Sequence, residues 1–121
     1  MKKIYVVEDD EDIRYIVEYI LMEDGYLIRT FNNASGFLGA LKEPYPDLIL
    51  LDIMLPDGDG RELCKIVKTG NKTNNIPVLM MSANVNVEEM ADDAYADGFL
   101  QKPFDISELR KIVRSKIGGV I

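Results

Sequence analysis

Polar residues stand at the ends of apolar runs that lie far apart in this 121-residue chain. Glu8 and Asp9 follow Ile4–Val7, Asp52 follows Leu48–Leu51, Ser82 follows Ile76–Met81, and Lys102 lies just beyond Phe99-Leu100. If those runs are neighbouring strands, three carboxylates, a hydroxyl and an ammonium meet on one rim. At an effective dielectric of about 20, carboxylates roughly 5 Å apart repel by about 3 kcal/mol per pair before screening. Such a site must hold a proton or a cation. Hard oxygen ligands, few in number and open to solvent, suit Mg²⁺ with several retained waters better than Ca²⁺ in a closed cage. A metal-bound carboxylate facing a lysine is equipped for phosphoryl transfer: the positive charges neutralise the equatorial oxygens while the carboxylate attacks in line. Aspartate is an accepted covalent nucleophile for phosphate, and a serine hydroxyl on the next strand can donate to the new phosphoryl group.

Each residue also has a plainer reading. Glu8 to Asp12 could be the acidic first turn of a helix, and the acid pair could be Asp9-Asp10 rather than Glu8-Asp9. Taken alone, Asp52 could be a turn residue, Ser82 a loop hydroxyl, Lys102 a solvated cation and Phe99 packing in an edge strand. Asp57-Gly58-Asp59-Gly60 hints at a calcium loop, but Leu55 before it and the lack of a terminal glutamate reject that. It reads as a turn followed by a helix cap. Cys64 is the one cysteine and there is no histidine, so packing is its simplest role, and a reducing compartment suits it.

The elements that must position these residues alternate. Ile4–Val7 reads as a buried strand. Ile13, Ile16, Val17, Ile20 and Leu21 recur at helical spacing, with Gly25 as a left-handed stop. Leu27–Thr30 is a weaker strand, and Asn33 caps a short helix to about Leu41 that Gly36 and Gly39 make marginal. Leu48–Leu51 is apolar at every position, as in a central parallel strand covered on both faces. Leu63, Ile66 and Val67 mark a third helix closed near Gly70. A fourth strand spans Ile76–Met81, a fourth helix runs from about Val87 to Ala94, and Phe99-Leu100 is a short fifth strand. Asp105 and Glu108 have capping-box spacing before a last helix on Leu109, Ile112, Val113 and Ile117. Five βα units in a row imply an α/β domain with a parallel sheet and helices on both faces, its functional crevice at the carboxyl ends of the strands.

Bulk composition excludes several classes. Hydrophobic residues make up 47% of the chain and are spread along it, which argues against disorder. A formal net charge of -7 argues against direct binding to nucleic acid. No apolar run approaches the roughly 20 residues needed to span a bilayer, and the N-terminus has no secretory apolar region. A cytoplasmic location away from membranes is the expectation.

Val6-Val7-Glu8-Asp9, Leu50 through Gly60, Met81-Ser82-Ala83 and Phe99-Leu100-Gln101-Lys102-Pro103-Phe104, in this order and at these spacings, resemble the receiver domain of two-component response regulators. The likeness covers essentially the whole chain, residues 1–121. It implies a flavodoxin-like, CheY-like (βα)5 fold with a five-stranded parallel sheet in the order 2-1-3-4-5. It also implies Asp52 as the phosphoacceptor, and Mg²⁺ held by Asp9, Asp52 and the backbone carbonyl of Met54, with Glu8 acting through a bound water. Lys102 pairs with the phosphate, and its bond to Pro103 is cis in similar domains. The same resemblance implies that Ser82 moves toward the phosphoryl group and Phe99 swings into the space it leaves, while the positions held by Met54 and Asn84 tune hydrolysis. The implied donor is a phosphohistidine on a sensor histidine kinase or phosphotransfer protein. Similar domains also take phosphate from small donors and dephosphorylate themselves, turning over no separate substrate. Output passes through the face of the fourth helix, fifth strand and fifth helix to a downstream protein or effector domain.

Some features stand apart from that resemblance. Tyr15, Tyr19 and Met22 form a second apolar stripe on the first helix, which reads either as core edge or as a docking face for the kinase's helical hairpin. Tyr95 stands where similar domains often have a glycine ending the fourth helix, which leaves that helix end open. Phe99 lacks the hydroxyl that a tyrosine there carries. A small aspartyl-phosphate phosphatase is the rival function, but Met54 occupies the place of its second acid. A flavodoxin-like cofactor binder ranks low, because no Ser/Thr/Gly-rich phosphate loop follows the first strand here. The chain ends at Gly118-Gly119-Val120-Ile121, as suits a stand-alone receiver or one cut from a larger regulator or hybrid kinase.

Overall fold

Strands β1 (Lys3–Val7) and β3 (Leu48–Asp52) are buried along nearly their whole length, as continuous aliphatic runs require when helices cover both faces. The computed structural model describes residues 1–117, and the chain end Gly118–Ile121 lies outside the described residues. β1 pairs in parallel with β2 (Leu27–Phe31) on one side and β3 on the other, in the registers Ile4 to Ile28 and Ile4 to Leu48. β3 pairs with β6 (Val78–Ser82), and β6 with β7 (Gly98–Gln101). The sheet order is β2-β1-β3-β6-β7, the 2-1-3-4-5 order once a small separate hairpin, β4 (Met54–Leu55) with β5 (Gly58–Asp59), is set aside.

Alternate residues of each strand feed opposite cores. Tyr5, Val7, Ile49, Leu51, Val78 and Met80 face α2 (Ala34–Ala40), α3 (Gly60–Thr69) and α4 (Val87–Asp93). Ile4, Val6, Leu48, Leu50, Leu79 and Met81 face α1 (Glu11–Glu23) and α5 (Ile106–Ile117). A fully buried side chain of this kind contributes about 1.5–3 kcal/mol. The strands therefore have little freedom to shift register, and their carboxyl ends stay aligned.

The helix ends follow their capping residues. Asp10 caps α1, accepting from Ile13 N at 3.1 Å, and Gly25 terminates it at φ +92. Asn33 accepts from Gly36 N at 2.7 Å to open α2. Asp105 and Glu108 exchange backbone bonds at 2.7 and 3.1 Å, a reciprocal capping box.

Three local features depart from the sequence expectation or decide what it left open. The fourth main strand starts at Val78, not Ile76, because Thr73–Ile76 closes a turn (Ile76 N to Thr73 O, 2.9 Å) and Pro77 has no N–H to give a ladder. Asp97 accepts from Val78 N at 2.8 Å instead. Second, α4 ends at Asp93 and Tyr95 itself takes the left-handed conformation, φ +67. Ala96 N reaches back to Ala91 O at 2.9 Å, the six-to-one bond of a Schellman end. Third, the Tyr15, Tyr19 and Met22 stripe is no core edge: these side chains are 69, 59 and 56% exposed. Ile16 is exposed beside them, while Val17, Ile20 and Leu21 make the buried face.

Candidate functional site

β1, β3, β6 and β7 end on the same rim, and each delivers one part of the site. Glu8 directly follows β1, and its N–H continues the ladder to Phe31 O at 2.9 Å. Its side chain is wholly buried. Oε2 accepts from Asp10 N at 3.1 Å and Oε1 accepts from Lys102 Nζ at 2.5 Å. Asp52 closes β3 and is buried too. Its Oδ2 accepts from Lys102 Nζ at 3.1 Å, and Oδ1 from Met54 N at 3.3 Å. Asp9 is exposed, and it places a carboxylate oxygen within 4.8 Å of oxygens from Glu8 and Asp52. Glu8 and Asp9 are thus the acids grouped with Asp52, while Asp10 caps α1.

Lys102 is a mostly buried bridge between two acids, not a solvated cation. Its backbone N–H donates to Ser82 O at 2.8 Å, tying the β7 end to the β6 end, and its bond to Pro103 is cis. Among the described residues one ammonium, bonded to Glu8 and Asp52, meets this group of three acids, so the site is short of positive charge. Burial, and then the hydrogen bond with Asp52, push the Glu8 carboxyl up to about 7 against the pull of Lys102. Burial disfavours the Lys102 charge, but the bond to Glu8 and the charge of Asp52 outweigh it and hold this ammonium above its ordinary pKa. An all-oxygen donor set with a proton competing for one member fits a hard divalent cation.

Ser82 is buried at the end of β6, and its Oγ accepts from Asn84 N at 3.0 Å. The hydroxyl oxygen is thus turned to the following loop, where Asn84 Oδ1 accepts from Asn86 N at 2.8 Å. Phe99 lies on β7 opposite Met80, half-buried against the core of the α2, α3 and α4 face. Met54 leaves its side chain 76% exposed in the hairpin beside Asp52. The geometry unites Glu8, Asp9, Asp52 and Lys102, and it leaves Ser82 with Asn84 on the adjoining loop and Phe99 in the core.

Further residues shape the site without having been singled out for it. Arg14 donates to Glu8 O at 3.0 Å and Asp9 O at 3.4 Å, bracing the acid pair from one turn into α1. A Cβ on Gly60 would lie 2.0 Å from Asp52 O, so only glycine lets α3 start against the strand that carries Asp52. Asp57 reaches across to α2, accepting from Ala34 N at 2.7 Å and Ser35 N at 3.0 Å. Those two bonds hold its carboxyl below the usual range. A glycine directly after a capping acid was a visible signal for Gly60. Nothing in spacing marked the other two. Beside Lys102 lies an apolar groove of about 370 Å³ between Ile13, Ile16, Ala83, Pro103 and Phe104.

Residues 4–114 match the family model described as the response regulator receiver domain. The chain is 38% identical over 117 residues to the DNA-binding transcriptional regulator NtrC of Proteus hauseri, covering 94% of this chain and 24% of that protein. It spans about a quarter to a half of the length of the curated relatives it matches. Among solved structures it superposes on the chemotaxis response regulator CheY4 of Vibrio cholerae with a TM-score of 0.88 at 26% identity, covering 95% of this chain and 98% of that one. The receiver domain of the sensor histidine kinase PA1611 from Pseudomonas aeruginosa, which has a magnesium ion coordinated in its active-site cleft, gives 0.88 at 25% identity and 98% coverage of both chains. With the strand order, the acid pair and the lysine already in place, this chain belongs to the response regulator receiver domain family.

Proposed function

We propose that Asp52 is the phosphoryl acceptor of this receiver, which works over residues 1–121 in a two-component phosphorelay. One observation carries the reading: a buried carboxylate and a largely buried ammonium, Asp52 and Lys102, stand 3.1 Å apart with Glu8 and Asp9 alongside. In the transfer an Asp52 oxygen forms the new O–P bond as the P–N bond of a donor phosphohistidine breaks. The imidazole departs with the bonding pair. Lys102 Nζ, already in reach of Asp52, steadies the phosphoryl oxygens by its charge. Asp9, Asp52 and the Met54 backbone carbonyl would hold Mg²⁺, with Glu8 acting through a water. When bound, the ion supplies the positive charge that an acid-rich site needs to accept another anion. The magnesium in the Pseudomonas receiver supports that assignment.

Ser82 then exchanges its bond from Asn84 N–H for one donated to the phosphoryl group, and Phe99 moves into the space beside it. The α4, β7 and α5 face changes with them, and a downstream protein or effector domain reads the change. For this the phosphorylated site must favour the active arrangement by a few kcal/mol. Met54 and Asn84 tune hydrolysis, and the chain takes phosphate from small donors and loses it without turning over a separate substrate. A sensor histidine kinase or phosphotransfer protein docks on the Tyr15, Tyr19 and Met22 face in the cytoplasm. The DNA-binding role in the name of the Proteus relative belongs to a chain about four times as long.

Incubation with Mg²⁺ and acetyl phosphate, followed by intact mass, tests the central step. Wild type gains one acid-stable, base-labile phosphoryl group and Asp52→Asn gains none. No gain in wild type, or an equal gain in the variant, refutes it.

A further inference from the structure

The loop that follows Asp52 is held at both ends. It carries the Met54 backbone out into the β4–β5 hairpin, whose ladder, among the described residues, has only the Met54 to Asp59 and Leu55 to Gly58 pairings and joins no other strand. A two-stranded ribbon of that size is not stable alone. Its base is closed by Gly60 N donating to Ile53 O at 2.6 Å. Its tip is closed by Asp57, whose two oxygens take the N–H groups of Ala34 and Ser35 at 2.7 and 3.0 Å, 23 and 22 residues away in sequence. Gly58 lies against Ala34 as well, since a Cβ there would meet the Ala34 Cβ at 3.6 Å. The tip of the hairpin is thus fastened to α2, and α2 is a short helix with glycines at 36 and 39.

We propose that Asp57 is a positioning residue which, by bonding the first turn of α2, sets where the Met54 backbone stands beside Asp52. This rests on the reading of the site as a Mg²⁺-dependent acceptor with the Met54 carbonyl among its ligands. A carbonyl ligand is useful only within a few tenths of an ångström of its place, and bonds at the base of the hairpin do not fix a tip four residues on from Ile53. Charge-assisted bonds to backbone N–H groups are the stronger kind, and Asp57 makes two of them across the domain. Asn33 caps the same helix independently through Gly36 N at 2.7 Å, so the hairpin link and the helix cap can be separated by mutation.

The test compares wild type, Asp57→Ala, Asp57→Asn and Asn33→Ala by calorimetric Mg²⁺ titration. It adds amide hydrogen exchange of the metal-free proteins and phosphorylation by acetyl phosphate across a Mg²⁺ series. Asp57→Ala should raise the Mg²⁺ dissociation constant roughly tenfold, in the range seen for residues that orient metal ligands. It should also speed exchange at residues 54–59, and saturating Mg²⁺ should restore its phosphorylation rate. Asp57→Asn should fall between, because its amide oxygen replaces only one of the two acceptors. Asn33→Ala should keep wild-type affinity. Unchanged Mg²⁺ affinity in Asp57→Ala, whatever its melting temperature, overturns the proposal, and so does equal weakening in Asn33→Ala. A wild type that binds no Mg²⁺ overturns the acceptor reading and this inference together.

Discussion

Raising the pH of the metal-free protein from about 5 to about 8 should cost it stability, with Glu8 as the cause. Its carboxyl is wholly buried and is pushed from 4.5 up to about 7, first by burial and then by the hydrogen bond with Asp52. A raised carboxyl means the native state binds the proton more tightly than the unfolded chain does. The native advantage is complete below the unfolded value of 4.5 and is lost as the pH climbs through about 7. At 1.36 kcal/mol per unit, the loss across that window is about 3 kcal/mol. Other shifted groups act elsewhere: Asp57 and Asp59 are held low and matter only below 3.8, Lys102 is held high, and there is no histidine. Urea unfolding followed by far-ultraviolet dichroism, which suits a chain without tryptophan, measures the effect in EDTA. Glu8→Gln should flatten the profile. Millimolar Mg²⁺ should flatten it too, by stabilising the native state most where the proton has left. A flat profile for wild type in EDTA, or an undiminished slope in Glu8→Gln, would refute the reasoning.

Two further outcomes follow from single features of the fold. Tyr95→Gly should stabilise the protein by about 1 kcal/mol, because a left-handed non-glycine residue costs about 1–2 kcal/mol and the tyrosine is mostly exposed. Chemical denaturation reads this directly, and a loss of stability would mean the Tyr95 ring makes contacts that outweigh its backbone. Tyr15→Ala with Tyr19→Ala should leave stability within about 0.5 kcal/mol and leave acetyl phosphate labelling unchanged. Transfer from the cognate kinase should slow at least roughly tenfold, as for lost aromatic anchors; equal transfer rates would end the docking assignment.

The fold was legible because its strongest signals are local. Four consecutive aliphatics before Asp52 announce a strand covered on both sides, and caps such as Asp105 with Glu108 act within one turn. The places misjudged or left open are those that residue type and spacing do not decide. Val78 opens its strand because Asp97, 19 residues on, takes its N–H. The Tyr95 end of α4 depends on a helix terminus that wants a left-handed residue more than it wants a glycine. Tyr15 and Tyr19 share a helical stripe with Met22, but spacing alone does not say whether another element covers it.

The grouping of the candidate site's side chains was legible to the extent that they stand at strand ends. Glu8, Asp9, Asp52 and Lys102 are neighbours because parallel strands in fixed register bring their carboxyl ends level. What positions them is carried by backbone groups, and no residue type advertises those. Arg14 holds the carbonyls of Glu8 and Asp9, Asp57 holds two N–H groups of α2, and Gly60 matters only for the atom it lacks. Lys102 is held both by its bonds to Glu8 and Asp52 and by its backbone N–H on Ser82 O. Once Glu8 has lost its proton, three carboxylates around one ammonium would drift apart if the walls were free, since each charged pair roughly 5 Å apart repels by about 3 kcal/mol. The braces keep the acids close despite that repulsion, and close acids short of positive charge are what a cation and a phosphoryl group together relieve.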